Sequence, residues 1–133
     1  MAKVLLARPL PEAVVTRAQA LFDVTVRAET TPLSGTEMRA ALADYDAVMP
    51  TLGDLFRAEV FADVPGARCK LLANFGVGFN HIDAAAAVAA GIAVTNTPGA
   101  VTDATADIAM TLMLMSARRA GEGERLVRSG AWE

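Results

Sequence analysis

The sequence is poor in the residues that build metal centres and disulfide frameworks. It has one cysteine, Cys69, and one histidine, His81, among 133 residues. A single cysteine cannot form an internal disulfide, and it is compatible with a reducing, cytoplasmic location. One cysteine and one histidine are also too few for the usual zinc ligand sets. We therefore expect no metal site, and no Ser-His-Asp triad or pair of catalytic carboxylates is evident.

Long hydrophobic runs and a strong net charge are also missing. Hydrophobic residues make up 53% of the chain, yet no uninterrupted apolar segment approaches the length of a bilayer span, so we predict no membrane helix. The start of the chain does not resemble a signal peptide, because the apolar run after Lys3 ends at Arg8. A formal charge of −3 opposes binding to nucleic acid or to an anionic membrane.

What the chain does have is a regular alternation of short apolar segments and helical patterns. Aromatic residues are only 5%, so the hydrophobic content comes from aliphatic side chains that suit helices packed on a buried parallel sheet. The patterns predict strands at 3–7, 23–27, 47–49, 71–73 and 92–95, and helices at about 12–21, 34–42, 54–62 and 83–90. They indicate a doubly wound α/β fold with a parallel sheet of about five strands.

A long helix is predicted to follow the sheet, at 102–119. It is apolar nearly all round, and its apolar residues include Ile108, Met110, Leu112, Met113, Leu114 and Met115. Such a helix is usually buried on more than one side, so we expect it to lie in the core. A short terminal helix is expected around 126–128.

The residues whose identity packing does not require are concentrated after the fourth strand, in Asn-Phe-Gly-Val-Gly-Phe-Asn-His-Ile-Asp at 74–83. Gly76 and Gly78 permit positive φ angles and allow a ligand to approach the amides of Val77 and Gly78. A helix begins at Asp83, so an anion could be held by these amides beside a helix N-terminus. The alternative is a tight turn that binds nothing. The segment is not the dinucleotide fingerprint, because His81 stands where its third glycine would be.

The predicted topology brings three such segments to one edge of the sheet. In open α/β sheets, ligands bind outside the carboxyl ends of the strands. The three segments are 50–52, 76–78 and 96–99. The sequence therefore predicts a binding site for a small molecule at this edge.

The segment 74–83, the later Ala-Gly-Ile-Ala-Val-Thr-Asn-Thr-Pro-Gly and the Thr-Asp-Ala-Thr-Ala-Asp at 102–107 together resemble the D-isomer-specific 2-hydroxyacid dehydrogenases, and among them the glyoxylate and hydroxypyruvate reductase branch. The resemblance implies a flavodoxin-like substrate-binding domain at 1–100, followed by an inter-domain and dimerisation helix and arm at 101–133. It also implies that the nucleotide-binding Rossmann domain of such enzymes is absent from this chain.

Roles for individual residues follow from the same resemblance. The amides of Val77 and Gly78, with Gly76, correspond to the site for the substrate carboxylate, and Thr51 corresponds to a small polar residue that faces substrate. Pro50 departs from the Arg-Ser pattern that is commoner before that position. Val77 and Thr105 correspond to contacts with the nicotinamide, although Thr105 is equally well explained as a first-turn helix residue.

The family's catalytic arginine, glutamate and histidine lie beyond position 133, so we expect no catalytic residue in this chain and interpret His81 as structural. The implied reaction is the NAD(P)-dependent reduction of a 2-oxo acid to a 2-hydroxy acid, with NAD or NADP bound mainly by the absent domain. We expect the isolated chain to be inactive, and to form a homodimer or to self-associate through the 102–119 helix. The alternative is a stand-alone, non-enzymatic flavodoxin-like module that binds a small anion or a protein partner.

Overall fold

The computed structural model describes every residue from Met1 to Glu133. The chain divides into two compact units, Met1–Pro98 and Gly99–Glu133. None of its helices combines the length and the hydropathy that crossing a bilayer requires.

The first unit is built on a five-stranded parallel sheet. Its strands are β1 (Lys3–Leu6), β2 (Asp23–Val26), β3 (Ala47–Met49), β4 (Leu71–Ala73) and β5 (Ala93–Thr95). The strand order is β2-β1-β3-β4-β5, and every neighbouring pair is parallel. This is the strand order of flavodoxin-like folds, so the predicted fold class is confirmed. The order reverses between β1 and β3, which is the place where such sheets bind ligands.

Four helices connect the strands, namely α1 (Glu12–Gln19), α2 (Gly35–Asp44), α3 (Ala58–Ala62) and α4 (Ala84–Ala89). The core lies between the sheet and α2, α3 and α4. Val48 of β3 and Leu72 of β4 are fully buried at its centre, because β1, β4 and β5 flank them on both sides. Leu42 of α2 and Ala87 of α4 are equally inaccessible.

Local sequence signals explain the ends of two of these helices. Ser34 accepts a hydrogen bond from the Glu37 amide at 3.2 Å, and the Glu37 carboxylate accepts one from the Ser34 amide at 2.8 Å, which forms a capping box at the start of α2. Asp83 caps α4 by accepting from the Ala86 amide at 2.9 Å. Gly91 follows α4 with φ +76°, a conformation that glycine adopts without steric cost.

The structure differs from the predicted pattern at α3 and α1. The α3 helix begins at Ala58 and not at 54, because Asp54 turns back to accept from the Thr51 amide and Phe56 pairs with Ile82 in an isolated parallel bridge. No residue of α1 is buried, although its pattern predicts an inward face. Val14 keeps 46% of its surface exposed because α1 packs mainly on β2, at the edge of the sheet.

The second unit consists of α5 (Thr102–Ala117) and α6 (Ala120–Ser129). Arg119 joins them in the left-handed conformation at φ +51°. The prediction of α5 as a core helix is wrong, since none of its residues is buried and nothing within the unit encloses it. The terminal helix is also longer than predicted, since it begins at Ala120. Ion pairs from Arg119 to Glu122 in its first turn and from Arg128 to Glu124 further along lie on its exposed surface.

Candidate functional site

The candidate site lies at the carboxyl ends of β3, β4 and β5, where the segments that follow these strands are hydrogen-bonded to one another. The Phe75 amide donates to the Pro50 carbonyl at 2.9 Å, which joins the ends of β3 and β4. The Thr97 amide donates to the Gly76 carbonyl at 3.1 Å, which joins the ends of β4 and β5. Three separated parts of the sequence are thereby fixed at one edge of the sheet.

The loop after β4 turns its carbonyl groups towards the protein. Asn74 Nδ2 donates to the carbonyl oxygens of Gly76 at 3.1 Å and Gly78 at 2.9 Å. Asn96 Nδ2 donates to the Val77 carbonyl at 2.8 Å. The amides of Val77 and Gly78 donate to no atom of the chain, and both residues are exposed. The exposed residues Phe79 and Asn80 have unpaired amides as well, so the loop offers a run of adjacent N–H donors, the arrangement that binds anions.

The glycines of this loop are not explained by backbone strain. Neither Gly76 nor Gly78 has a positive φ, so the expectation that they exploit that freedom is wrong. A Cβ atom built at Gly76 would approach no atom closer than 3.6 Å, and one at Gly78 none closer than 3.7 Å, which are ordinary contacts. Nothing within the chain therefore requires a glycine at either position.

The helix after the loop does not add an anion site. Two amides at the beginning of α4 are already used, since Ala86 donates to the Asp83 carboxylate at 2.9 Å and Asp83 donates to the Phe56 carbonyl at 2.8 Å. The side chain of Asp83 thus occupies the N-terminus of this helix as its cap. The site is therefore argued from the loop amides and not from the helix.

Asn74 and His81 form a buried pair beneath the loop. Asn74 is 2% exposed and His81 is 5% exposed. Asn74 Oδ1 lies 3.0 Å from His81 Nε2, and since this oxygen only accepts, the proton of the imidazole is assigned to Nε2. His81 Nδ1 is buried without a partner, and burial lowers the pKa of the ring, so the imidazole is neutral. This environment agrees with the interpretation of His81 as structural.

Thr51 is held by a buried carboxylate that the sequence analysis did not single out. Asp54 is fully buried, and its Oδ2 accepts from the amide of Thr51 at 2.7 Å and from the Thr51 hydroxyl at 3.3 Å. Its Oδ1 accepts from the Leu33 amide at 2.8 Å and from Arg8 Nη2 at 3.1 Å. Asp54 thus joins the ends of β1 and β3 to the loop before α2. Its only sequence signal is a carboxylate just after a glycine, in a region that reads as helical.

A groove of about 480 Å³ lies beside Thr51, and Arg8, Leu52 and Phe75 also line it. It adjoins the loop, because Phe75 belongs to both and a Cβ at Gly76 would lie 3.8 Å from Leu52 Cδ2. A second groove of about 470 Å³, between α3 and α4, is lined only by apolar residues and glycine. Of these two grooves, only the one at the strand ends offers polar side chains.

The remaining candidate residues lie elsewhere. Thr105 is exposed on α5 of the second unit, and its amide donates to the Val101 carbonyl at 2.9 Å. Cys69 is fully buried just before β4, and burial raises the pKa of its thiol, which makes it a poor nucleophile. No three side chains of His, Cys, Asp and Glu are grouped as metal ligands would be.

Comparison with known proteins agrees with this geometry. The model of the D-isomer specific 2-hydroxyacid dehydrogenase catalytic domain matches residues 4–126. The chain belongs to this dehydrogenase family. The exposed loop amides of Val77 and Gly78 lie within the region that matches the D-isomer specific 2-hydroxyacid dehydrogenases.

Individual relatives that match nearly the whole chain are named as dehydrogenases or reductases. The chain is 42% identical over 130 residues to a glycerate dehydrogenase of Hyphomicrobium methylovorum, which covers 98% of this chain and 40% of the relative. It is 38% identical over 131 residues to a glyoxylate reductase of Thermococcus onnurineus, with coverage of 98% and 39%. A solved NADPH-dependent glyoxylate/hydroxypyruvate reductase of Sinorhizobium meliloti, in complex with citrate, is 26% identical with a TM-score of 0.77, and the match covers 99% of this chain and 40% of that chain. The chain therefore spans about two fifths of the length of the curated relatives it matches.

Proposed function

We propose that this chain forms the substrate-carboxylate site of an NAD(P)-dependent dehydrogenase that reduces a small 2-oxo acid, of the glyoxylate or hydroxypyruvate type, to the 2-hydroxy acid. The observation that carries the proposal is the pair of unpaired N–H groups on Val77 and Gly78, which are exposed in the loop after β4. Membership of the family and the names of the relatives support this substrate class.

The contribution of the loop is to bind and to orient. Two adjacent N–H donors hold a carboxylate in one orientation, which fixes the neighbouring carbonyl carbon in space. Thr51 is held rigidly by Asp54 at the end of β3 and faces the same bound acid. The nicotinamide supplies the hydride to that carbon when NADH or NADPH is bound, and Val77 and Thr105 are the residues proposed to contact it.

We also propose that the chain alone is catalytically inactive, in keeping with a cofactor bound mainly by residues outside it. Reduction of a 2-oxo acid needs a group that protonates the carbonyl oxygen as hydride arrives. His81 is unsuited to this task, because its Nε2 proton is engaged by Asn74 and its ring is 5% exposed. Incubation with glyoxylate and NADH or NADPH should give no loss of absorbance at the nicotinamide band, and turnover proportional to chain concentration would refute the proposal.

Binding can be tested without turnover. The ¹⁵N-labelled chain is titrated with oxalate, a stable analogue of a 2-oxo acid, at constant ionic strength, and chloride serves as the control. We expect the amide resonances of Val77 and Gly78 to shift most, and those of the α3–α4 groove, such as Ala62 and Ala89, to stay constant. Uniform shifts, or none at the two loop amides, would contradict the proposed role.

The exposed apolar surface of α5 supports self-association with a second copy of this chain in the cytoplasm. Met110 and Leu114 expose 54% and 58% of their surfaces. Asp103 lies near the start of α5 and Arg118 at its end, so an antiparallel pair of α5 helices would bring opposite charges together. A monomer by sedimentation equilibrium at high concentration would refute this part.

A further inference from the structure

The loop after β4 presents its N–H groups outward only because its peptide planes have one particular orientation. In a planar trans peptide the C=O of one residue and the N–H of the next point in opposite directions. Holding the Gly76 carbonyl inward therefore turns the Val77 N–H outward, and holding the Val77 carbonyl inward does the same for the Gly78 N–H. The direction of each free N–H group is thus set by the groups that hydrogen-bond the carbonyl of the preceding residue.

Each of these two carbonyls is held by a different asparagine. Asn74 Nδ2 donates to the Gly76 carbonyl at 3.1 Å, and Asn96 Nδ2 donates to the Val77 carbonyl at 2.8 Å. Asn74 also donates to the Gly78 carbonyl at 2.9 Å, which closes the loop around one buried side chain. The Gly76 carbonyl also accepts from the Thr97 amide at 3.1 Å, whereas Asn96 provides the only hydrogen bond to the Val77 carbonyl.

The amide of Asn74 is itself locked in orientation. Its Oδ1 accepts from His81 Nε2 at 3.0 Å, so its NH₂ group must face the two loop carbonyls. Both side chains are almost completely buried, and water does not compete for these hydrogen bonds. His81 therefore acts through Asn74, and Asn74 acts through the backbone.

We propose that Asn74 and Asn96 are a pair of positioning residues, in which Asn74 orients the N–H of Val77 and Asn96 orients the N–H of Gly78. The inference rests on the proposed function only for the identity of the anion, since the orientation of the two N–H groups is a property of the chain itself. Neither asparagine contacts the ligand, so each acts on binding through one peptide plane.

The variants Asn74→Asp and Asn96→Asp test this pairing. Each replaces a donor NH₂ by a carboxylate oxygen that repels the carbonyl it formerly bound. The matched control is Gln19→Glu, which adds the same charge at an exposed residue of α1, outside the loop. Residual dipolar couplings of the backbone N–H groups in the 133-residue chain report the direction of each N–H vector.

We expect Asn74→Asp to reorient the Val77 N–H, because repulsion of the Gly76 carbonyl by the new carboxylate acts against the single remaining bond from the Thr97 amide. Asn96→Asp should reorient the Gly78 N–H, while the couplings of β3 and β4 stay constant. Oxalate affinity should fall at least about tenfold in both variants, the loss of roughly one hydrogen bond to a charged group. In the control it should fall no more than about threefold, the size of a screened surface charge effect. Unchanged N–H vectors in the two variants, or affinities equal to that of the control, would overturn the inference.

A measurement on the unaltered chain covers the case in which Asn74→Asp does not fold. Couplings across hydrogen bonds, from Asn74 Nδ2 to the carbonyl carbons of Gly76 and Gly78, should be detectable, and the ring ¹⁵N shifts of His81 should show the proton on Nε2. Missing couplings or a proton on Nδ1 would refute the arrangement. If oxalate moves no loop amide in the unaltered chain, the proposed function fails, and the couplings still decide the inference.

Discussion

Replacing Asp54 by asparagine should destabilise the first unit strongly, although the side chain keeps its shape. The carboxylate is fully buried and accepts from the amides of Leu33 and Thr51, from the Thr51 hydroxyl and from Arg8. Asparagine keeps one acceptor oxygen, so the donors on one side of Asp54 meet an NH₂ group instead. Each buried hydrogen bond to a charged group contributes about 1.5–3 kcal/mol. Arg8 also loses its partner, although its side chain is 13% exposed and thus partly solvated.

We expect the free energy of unfolding to fall by about 3–5 kcal/mol, the range for removing one partner of a buried ion pair. Urea denaturation followed by far-UV circular dichroism measures this as a midpoint lower by roughly 1.5–2.5 M, for an m of about 2 kcal/mol/M. The control is Asp63→Asn, which breaks the Arg39 pair at 2.8 Å between side chains that are 38% and 51% exposed. It should cost no more than about 1 kcal/mol. Equal costs for the two variants would refute the role of Asp54 as a buried junction.

Three further results are expected. Gly78→Ala should change the free energy of unfolding by less than about 0.5 kcal/mol, because the φ of Gly78 is negative and the new Cβ has room, yet the variant should weaken oxalate binding. Gly91→Ala, at φ +76°, should lower the free energy of unfolding by about 1 kcal/mol and leave oxalate binding intact. The reverse pattern in urea denaturation and oxalate titration would contradict this. Burial lowers the pKa of His81 below its ordinary 6.5, so the unfolded chain binds a proton at higher pH than the folded chain does. The stability that the neutral ring contributes is therefore complete above pH 6.5 and declines as the pH falls. A urea midpoint that rises, relative to that of His81→Gln, as the pH is lowered from 6.5 to 5.5 would exclude this. The double variant Met110→Lys with Leu114→Glu should make the chain monomeric in sedimentation experiments, and an unchanged mass for an associated chain would show that another surface mediates association.

The arrangement of strands and helices could be predicted because it depends on short-range patterns. The central strands are continuous apolar runs. Ser34 and Gly91 mark the start of α2 and the end of α4 through contacts within one helical turn. The start of α3 was predicted wrongly because Asp54 is engaged by residues from other parts of the chain. Hydrophobic periodicity carries no information about such contacts.

The α5 helix shows a second limit of prediction from the sequence. An apolar helix pattern indicates that a surface is to be covered, but it does not indicate by what. The sequence predicts both a core position and an association surface for this helix, and every residue of α5 is exposed, which excludes the core position. The apolar character of α5 was predicted correctly, and its position in the core was predicted wrongly.

The loop amides were predicted from their glycines, but the physical reason was different. Sequence reasoning attributed Gly76 and Gly78 to positive φ angles, and neither has one. The carbonyls are oriented instead by Asn74 and Asn96, which lie at the ends of two adjacent parallel strands and so come together only when β4 pairs with β5. Neither strain nor crowding within the chain requires a glycine at 76 or 78, so contacts within the chain do not explain the choice of residue there. A polar side chain just after a buried strand is therefore worth examining as a support for the neighbouring loop, even when it contacts no ligand itself.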